Sequence, residues 1–157
     1  MRSTLYYICL NPGCYAKLQE EIDTYYRENA LMQPIMYNET LKLPYLRAVV
    51  KEATRLLPSI VYQLLRHAPE QGLTIDEKFI PPGTPVGVSP IAQNRDPAIW
   101  GEDADIFRPE RWIEDEKKAR RYEAVSMTFG GNGPRMCVGR NIALVRNKYT
   151  FLLAVDF

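Results

Sequence analysis

The sequence predicts one mainly helical domain with a small antiparallel β meander, an α+β arrangement. Three observations predict this class. Apolar residues recur at spacings of three and four in several segments, as on the buried side of an amphipathic helix. Between Ser59 and Ser89, short apolar runs alternate with proline and glycine, a pattern typical of strands and turns. The 157 residues, 46% of them apolar, suffice for one core, so two domains are not expected.

The first ten residues predict the last turns of a helix. Leu5, Ile8 and Cys9 share one helical face, and Asn11-Pro12-Gly13 is a stop signal. The apolar run is too short to span a bilayer, which takes about 20 residues, and it lacks a signal-peptide cleavage site. We therefore expect neither a membrane anchor nor a signal peptide here. We expect the helix to begin before Met1.

Two amphipathic helices are predicted next. The first runs from Cys14 to Arg27, with apolar positions Tyr15, Leu18, Ile22 and Tyr25. Residues Glu28–Thr40 lose this period and contain Pro34, which predicts a loop. The second helix runs from Pro44 to about Leu57, because proline suits a first helical turn and Pro58 closes the segment. Its predicted buried residues are Leu46, Val49, Val50, Ala53 and Leu57.

The second helix carries a charged pair on one side. Glu52 and Arg55 lie three residues apart, so they can contact each other or a shared partner. Such pairs are common on helix surfaces, where each contributes only about 0 to 1 kcal/mol. The pair alone therefore does not distinguish a functional site from a solvated helix face.

Short strands are predicted in the middle of the chain, at Val61–Leu65, Leu73–Ile75, Phe79–Ile80 and Val86–Val88. Arg66 is expected to end the first of them. His67, the chain's one histidine, is expected to be a surface or turn residue with a satisfied ring, and no metal is assigned to it.

The region after the strands predicts little regular structure. Pro90–Asn94 can form one helical turn, and a long irregular stretch is expected from Arg95 to about Glu123. Within that stretch, Glu114–Glu123 is densely charged and shows no apolar face. We expect it to be a solvated, mobile excursion.

The most distinctive stretch is Phe129–Gly139, here named the cysteine loop. It sets Cys137 among glycines, and a predicted helix follows from Val138 to about Ala154. A thiolate can bind a haem iron, and the free N–H groups at the start of a helix would favour its negative charge. The alternative is a glycine-rich loop with one buried thiol, since a free cysteine is often a small core residue.

Charge and cysteine content exclude several partners. Lys and Arg number 20 against 19 Asp and Glu, and this net charge of +1 gives no electrostatic case for nucleic acid or an anionic membrane surface. The three cysteines Cys9, Cys14 and Cys137 show no repeated C-x-x-C or Cys/His spacing. This argues against a disulfide framework and a structural zinc site, and fits a reducing compartment.

Four stretches in order resemble the C-terminal part of the cytochrome P-450 family of haem-thiolate monooxygenases. They are Lys51-Glu52-Ala53-Thr54-Arg55, Ile80-Pro81-Pro82-Gly83-Thr84, Phe107-Arg108-Pro109-Glu110-Arg111-Trp112 and the cysteine loop. The similarity extends from Asn11-Pro12 to the helix after the cysteine. The expected fold is therefore the C-terminal part of the P-450 fold, incomplete at its N-terminal side.

By this resemblance, Cys137 is the expected catalytic residue and the axial thiolate ligand of a haem b iron. Arg135 and Arg66 are expected to bind the haem propionates, because the guanidinium fork suits carboxylates. The other residues expected to contact the cofactor are Phe129, Gly130, Gly133, Val138 and Gly139.

The resemblance also implies a structural and a substrate-binding group. Glu52, Arg55 and Arg111 are expected to form a buried charge triad that positions the cysteine loop. The residues Ser59, Ile60, Val61 and Tyr62 match a strand that lines the substrate pocket, and their apolar character predicts an apolar substrate.

Three positions depart from the family pattern. Phe129 lies one residue further from Arg135 than usual, so either the loop bulges near Asn132 or Phe129 cannot reach its usual packing site against the cysteine. The flanking glycines favour the bulge. Asn94 stands where histidine is frequent in the family, and Asp76-Glu77 replaces an Asp-Gly turn.

The chain is about a third of the length that the family implies. Residues 1–157 are expected to form a partial domain: the end of the central helix, the following helices, the β meander, the Pro-Glu-Arg-Trp region, the cysteine loop and the proximal helix. The N-terminal part, with the oxygen-activating residues and any anchor, is expected before Met1. The complete form is expected at the endoplasmic-reticulum membrane, facing the cytosol.

The expected activity is insertion of one oxygen atom from O₂ into a small apolar or aromatic substrate, with electrons from an NADPH-dependent reductase. The stretch Gly139-Arg140-Asn141-Ile142-Ala143-Leu144 resembles fungal, pisatin demethylase-like or benzoate hydroxylase-like members. Two alternatives stay open. The chain can be a truncated, inactive product with at most weak haem binding, or a haem-thiolate protein that rearranges peroxides without external electrons.

Overall fold

The computed structural model describes residues 2–29 and 37–155, and it confirms a mainly helical chain with small antiparallel sheets. The helices are α1 Arg2–Leu10, α2 Pro12–Asn29, α3 Tyr37–Thr40, α4 Pro44–Leu56, α5 Pro90–Gln93, α6 Pro97–Trp100, a 3-10 helix Pro109–Trp112, α7 Glu116–Val125 and α8 Arg140–Val155. The strands are β1 Arg66–His67, β2 Leu73–Ile75, β3 Lys78–Ile80 and β4 Pro85–Val86.

Helix α4 is the centre of the fold and packs against α1, α2, α8 and the 3-10 helix. Its predicted apolar face is buried, except that Leu57 is exposed just past the helix end. The main core combines this face with residues of α1 and α2, namely Ile8, Leu18, Ile22, Leu46, Val49, Val50, Ala53 and Leu56.

The start of α4 is capped by another helix. Leu43, at the N-cap position, makes no side-chain cap. Instead the carboxylate of Glu21 in α2 accepts bonds from the backbone N–H groups of Tyr45 at 2.7 Å and Leu46 at 2.9 Å. Because these N–H groups have no partner within α4, this contact satisfies them and fixes α2 against α4.

The predicted face of α1 was partly wrong. Ile8 is buried, but Leu5 and Cys9 are exposed and Thr4 is buried in their place. Helix α1 packs on both α2 and α4, and its Thr4–Ile8 side faces inward. Helix α1 ends at Leu10, just before the predicted stop Asn11-Pro12-Gly13, and Pro12 begins α2, as expected of proline in a first turn. Of the predicted loop Glu28–Thr40, residues 30–36 with Pro34 lie outside the described residues, and 37–40 are helical.

The strands pair differently from the prediction. They form two nested two-stranded antiparallel sheets, β1 with β4 and β2 with β3. Residues 61–65 are not a strand. In this region only Arg66 and His67 pair with a neighbouring strand, opposite Val86 and Pro85 respectively. Arg66 therefore begins β1 instead of ending it. The ring Nδ1 of His67 lies 3.0 Å from the carbonyl oxygen of Gly83, at the protein surface.

The charged segment predicted to be a mobile excursion is largely helix α7, so that prediction was wrong. Asp115 caps the helix by accepting bonds from the N–H groups of Lys117 and Lys118. The helix is held by Ala119, which is buried, and by Tyr122, whose ring stacks on Trp100. Trp100 belongs to a second small core with Ala48, Ala104 and Trp112. Apolar contacts of Ala119, Tyr122 and Val125, together with the ion pair of Glu123 with Lys51, thus dock a highly charged helix.

Candidate functional site

A backbone hydrogen bond closes the cysteine loop. The N–H of Cys137 donates to the carbonyl oxygen of Phe129 at 2.9 Å. Between them, Gly130, Gly131 and Gly133 have φ angles of 81°, 79° and 107°. These lie in the left-handed region that only glycine adopts readily, so the glycines are required by the path of the backbone.

The predicted bulge of the loop falls in this glycine-rich part. The side chain of Asn132 donates to the carbonyl oxygen of Ala124 in α7 at 2.6 Å. The ring of Phe129 lies 6.0 Å from the guanidinium of Arg140, beside a small pocket that Trp112 and Leu144 also line. These contacts favour a bulge at Asn132, which stays a prediction.

Cys137 is exposed, so it is not the buried thiol of the alternative interpretation. Helix α8 begins at Arg140 rather than at Val138 as predicted. The N–H of Arg140 donates to the carbonyl oxygen of Cys137 at 3.2 Å, and Gly139 accepts the first intrahelical bond from Ala143. The cysteine therefore lies just before the start of α8, at the positive end of the helix dipole.

The surface next to Cys137 is open and apolar. Val138 is 99% exposed and Ile142 is 75% exposed. At Gly139, a Cβ atom would lie 3.8 Å from the sulfur of Cys137, an ordinary contact, so the chain itself does not require glycine there. The predicted substrate-lining residues Ser59, Ile60, Val61 and Tyr62 are likewise exposed, in an irregular segment before β1.

The two predicted propionate ligands line the same cleft. Arg66, from β1, and Arg135, from the cysteine loop, face a cleft of about 640 Å³ that Gly130 also lines. Arg66 donates to the carbonyl oxygen of Leu65 at 2.8 Å. Among residues 2–29 and 37–155, no carboxylate pairs with either arginine. Two guanidinium groups in one cleft are therefore available for an external anion.

Behind the loop lies a buried charge network centred on Glu52. Its carboxylate accepts hydrogen bonds from Nε and Nη2 of Arg55, at 2.9 and 2.8 Å. It also accepts one from Nε of Arg111 at 2.9 Å. The indole Nε1 of Trp112 and the backbone N–H of Arg108 also donate to it, at 2.9 and 3.1 Å. A fully buried carboxylate is thus compensated by five donors.

Sequence reasoning missed three members of this network. Trp112 and Asp103 join it from the 107–112 stretch and the turn before it, and Asn94 joins it from the end of α5. The carboxylate of Asp103 accepts from Arg111 and Arg108, at 3.1 and 2.7 Å. Burial alone would raise the pKa of Asp103, but these two hydrogen bonds outweigh it and lower the pKa below its ordinary value.

The described residues 2–29 and 37–155 contain no group of three or more His, Cys, Asp or Glu side chains arranged to hold a metal ion. They also contain no helix that is both long and apolar enough to cross a membrane.

Comparison with known proteins identifies the family. The model of the family described as Cytochrome P450 matches residues 1–155. The chain belongs to the cytochrome P450 family. Its fold is therefore part of the P450 fold, as the four motifs implied.

The similar curated proteins are fungal members of this family. Over 145 residues the chain is 41% identical to pisatin demethylase of Fusarium vanettenii, covering 92% of this chain and 27% of that protein. It is 43% identical to cytochrome P450 monooxygenase cicH of Emericella nidulans, covering 91% and 29% respectively. It is 40% identical to cytochrome P450 monooxygenase ABA1 of Pyricularia oryzae, covering 100% and 31%. The chain thus spans less than a third of the length of these relatives.

Membership of the cytochrome P450 family implies a haem cofactor, and the residues present fit one. A cysteine sulfur is a soft ligand that haem iron accepts, and the sulfur of Cys137 is exposed. The arginines of the 640 Å³ cleft suit two carboxylates, and the exposed apolar side chains of Val138 and Ile142 suit an apolar macrocycle.

Proposed function

We propose that the chain is the C-terminal, proximal part of a haem-thiolate monooxygenase, with residues 1–157 forming a partial P450 domain. Cys137 is proposed as the axial thiolate ligand of a haem b iron. The observation that carries this proposal is the position of the exposed Cys137 immediately before α8, in a loop that also contributes Arg135 to a cleft shared with Arg66.

The bound haem would supply activation of O₂ and transfer of one oxygen atom to the substrate. In the overall reaction one oxygen atom enters a C–H bond of the substrate. The other leaves as water, which takes two protons from the solvent and two electrons from an NADPH-dependent reductase. The chain's own part in this is to hold and tune the cofactor.

The roles of the chain's residues follow from their surroundings. Cys137 lies just before the start of α8 and would hold the iron through its sulfur. Arg66 and Arg135 would each bind a propionate, because neither has a carboxylate partner among the described residues. Phe129, Gly130 and Gly133 shape the loop, while Val138 and Gly139 lie beside the sulfur. The Glu52–Arg55–Arg111 group anchors the segment behind the loop.

The proposed substrate is a small apolar or aromatic compound. Ile60, Val61 and Tyr62 expose apolar surface in the segment that the family resemblance assigns to the substrate pocket. One relative is named for the demethylation of pisatin, an attribute of that protein. We propose an apolar substrate class for this chain and no particular compound. For the complete form we propose attachment to the endoplasmic-reticulum membrane, facing the cytosol.

A second candidate is that the chain by itself is inactive, with at most weak haem binding. The observation that favours it is the apolar surface around Cys137, including the nearly fully exposed Val138. Exposed apolar patches of this kind favour partner binding or aggregation.

One experiment separates the two candidates. The chain is expressed with haem supplied, reduced and exposed to carbon monoxide, and the Soret band is recorded. The first candidate predicts the red-shifted thiolate band, its loss in Cys137→Ser and its retention in the control Cys14→Ser. Absence of the band from the unaltered chain supports the inactive product.

A further inference from the structure

Asn94 connects the buried charge network to the segment that opens the cysteine loop. It is fully buried at the C-terminal end of α5. Its side-chain Oδ1 accepts the backbone N–H of Met127 at 2.9 Å, and its Nδ2 donates to the carbonyl oxygen of Arg55 at 3.2 Å. Its own carbonyl oxygen accepts Nη1 of Arg55 at 2.6 Å. Every polar atom of this side chain therefore has one defined partner.

Met127 connects Asn94 to the cysteine loop. Its N–H is held by Asn94, and its carbonyl oxygen accepts the N–H of Gly130 at 3.1 Å. A Cβ placed on Gly131 would lie 3.0 Å from the sulfur of Met127, so the loop also packs closely on its side chain. The backbone at 127 is thus fixed on both sides, two residues before the Phe129 carbonyl that accepts the N–H of Cys137.

A parallel contact ties the same segment to α4. The hydroxyl of Thr128 donates to the carbonyl oxygen of Thr54 at 3.3 Å. The end of α4 is therefore joined to residue 128 by a direct hydrogen bond. It is joined to residue 127 indirectly, because Asn94 bonds both Arg55 and Met127. Because Arg55 donates to the carbonyl oxygens of Asn94 and Ala104, each at 2.6 Å, the end of α4 is itself fixed to the neighbouring segments.

We propose that Asn94 is a positioning residue, which sets the cysteine loop, and with it Cys137, relative to the buried Glu52–Arg55 pair. The role requires one acceptor for Met127 and one donor for Arg55 in the same side chain. A primary amide supplies both, and so does a neutral imidazole ring. The role of Cys137 rests on the proposed function, but the placement of the loop does not.

The test uses amide hydrogen exchange on the chain without haem, followed residue by residue by NMR. Asn94→Leu removes both polar atoms, so the Met127 amide should exchange roughly tenfold faster or more, while the amide of Ile22 in α2 keeps its rate. Asn94→His should restore slow exchange at Met127. The proposal is overturned if Met127 exchanges at the wild-type rate in Asn94→Leu, or if Ile22 accelerates as much as Met127 while the chain stays folded.

A second variant covers the case in which leucine unfolds the chain, seen as lost protection throughout α2. Asn94→Ser keeps a hydroxyl but is too short to reach both partners, so it should accelerate Met127 selectively. An unchanged Met127 rate in this variant overturns the proposal.

A spectroscopic measurement separates this inference from the proposed function. With haem supplied, the fraction of the carbon monoxide complex that shows the thiolate band should fall in Asn94→Ser and recover in Asn94→His. If Cys137 is not the iron ligand, the thiolate band is absent from the unaltered chain or persists in Cys137→Ser, whereas the exchange result at Met127 still stands.

Discussion

The carboxylate of Glu52 and the guanidinium of Arg111 meet at 2.9 Å, although 59 residues separate them in the chain. Arg55 binds the same carboxylate from one turn further along α4. These three charges join α4 to the 3-10 helix Pro109–Trp112, and both elements pack in the centre of the molecule. The stability of the whole arrangement should therefore depend on one buried carboxylate.

Replacement of Glu52 by glutamine should strongly destabilise the chain. The amide has one acceptor oxygen in place of two and no charge, so Arg55 becomes a buried cation without a counter-ion and Arg111 keeps only Asp103. We expect a loss of about 3 to 5 kcal/mol in the free energy of unfolding, measured by urea denaturation followed by circular dichroism.

The matched control for that prediction is Glu116→Gln. Glu116 pairs with Arg120 in α7, where both side chains are exposed, so the change should cost no more than about 0.5 kcal/mol. An effect of Glu52→Gln as small as that of the control would show that the buried network does not stabilise the fold.

Tyr122 should hold α7 on the molecule. Its ring stacks on Trp100 with 4.7 Å between ring centres and meets Trp112 edge-on at 5.9 Å. We expect Tyr122→Ala to cost about 2 to 4 kcal/mol and to increase the solvent exposure of the tryptophans, measured by their fluorescence maximum. Tyr122→Phe keeps the ring and should cost under about 1 kcal/mol. Equal effects of the two variants would contradict the stacking argument.

The hairpin turn between β2 and β3 contains a strained residue. Asp76 and Glu77 form its two-residue loop, with φ angles of 46° and 63°. Turns with two positive φ angles prefer glycine at the second position, and glutamate is among the residues that adopt it reluctantly. We expect Glu77→Gly to stabilise the chain by about 0.5 to 1 kcal/mol, measured as a shift in the urea midpoint.

Asp76→Gly is the control for this turn. Aspartate tolerates a positive φ better than glutamate does, so we expect a smaller gain from this change. A destabilising effect of Glu77→Gly would show that the glutamate side chain contributes contacts that outweigh its backbone strain.

Asp103 should make the chain sensitive to acid. Burial opposes ionisation, but hydrogen bonds from Arg111 and Arg108 outweigh it and lower the pKa of the folded carboxyl. An unfolded aspartate titrates at about 3.9. The contribution of Asp103 to the free energy of unfolding is therefore fully present above that pH and is lost as the pH falls through the lower folded pKa.

We expect the stability difference between the wild type and Asp103→Asn to be constant near neutral pH and to shrink below about pH 4, measured by urea denaturation. A difference that grows in acid would contradict the direction of the shift.

The sequence alone predicts the elements that depend on local pattern. The apolar period of α4 and the glycine-rich surroundings of Cys137 are visible directly, and the spacing of Glu52 and Arg55 indicates that they can meet. The shared carboxylate contacts of Arg111 and Trp112 are not visible, because they join residues that are distant in the chain. The family resemblance supplied Arg111, whereas nothing local distinguished Trp112.

The errors have physical causes of the same kind. Helix α7 lacks an apolar face of its own, and its docking depends on Tyr122 meeting two tryptophans that lie elsewhere in the sequence. The run 61–65 has strand composition, but strand formation also needs a neighbouring strand, and only Arg66 and His67 find one. In the sequence, Asn94 stands out only as a departure from the family pattern. Its role depends on Met127, 33 residues away.

The central claim is that Cys137 binds the iron of a haem. Iron K-edge X-ray absorption on the haem-loaded chain tests it most directly, because the spectrum identifies the atoms bonded to the metal. We predict one iron–sulfur bond in the wild type and in the controls Cys9→Ser and Cys14→Ser, and only nitrogen or oxygen ligands in Cys137→Ser. An iron–sulfur bond that persists in Cys137→Ser, or that is missing from the wild type, would contradict the assignment.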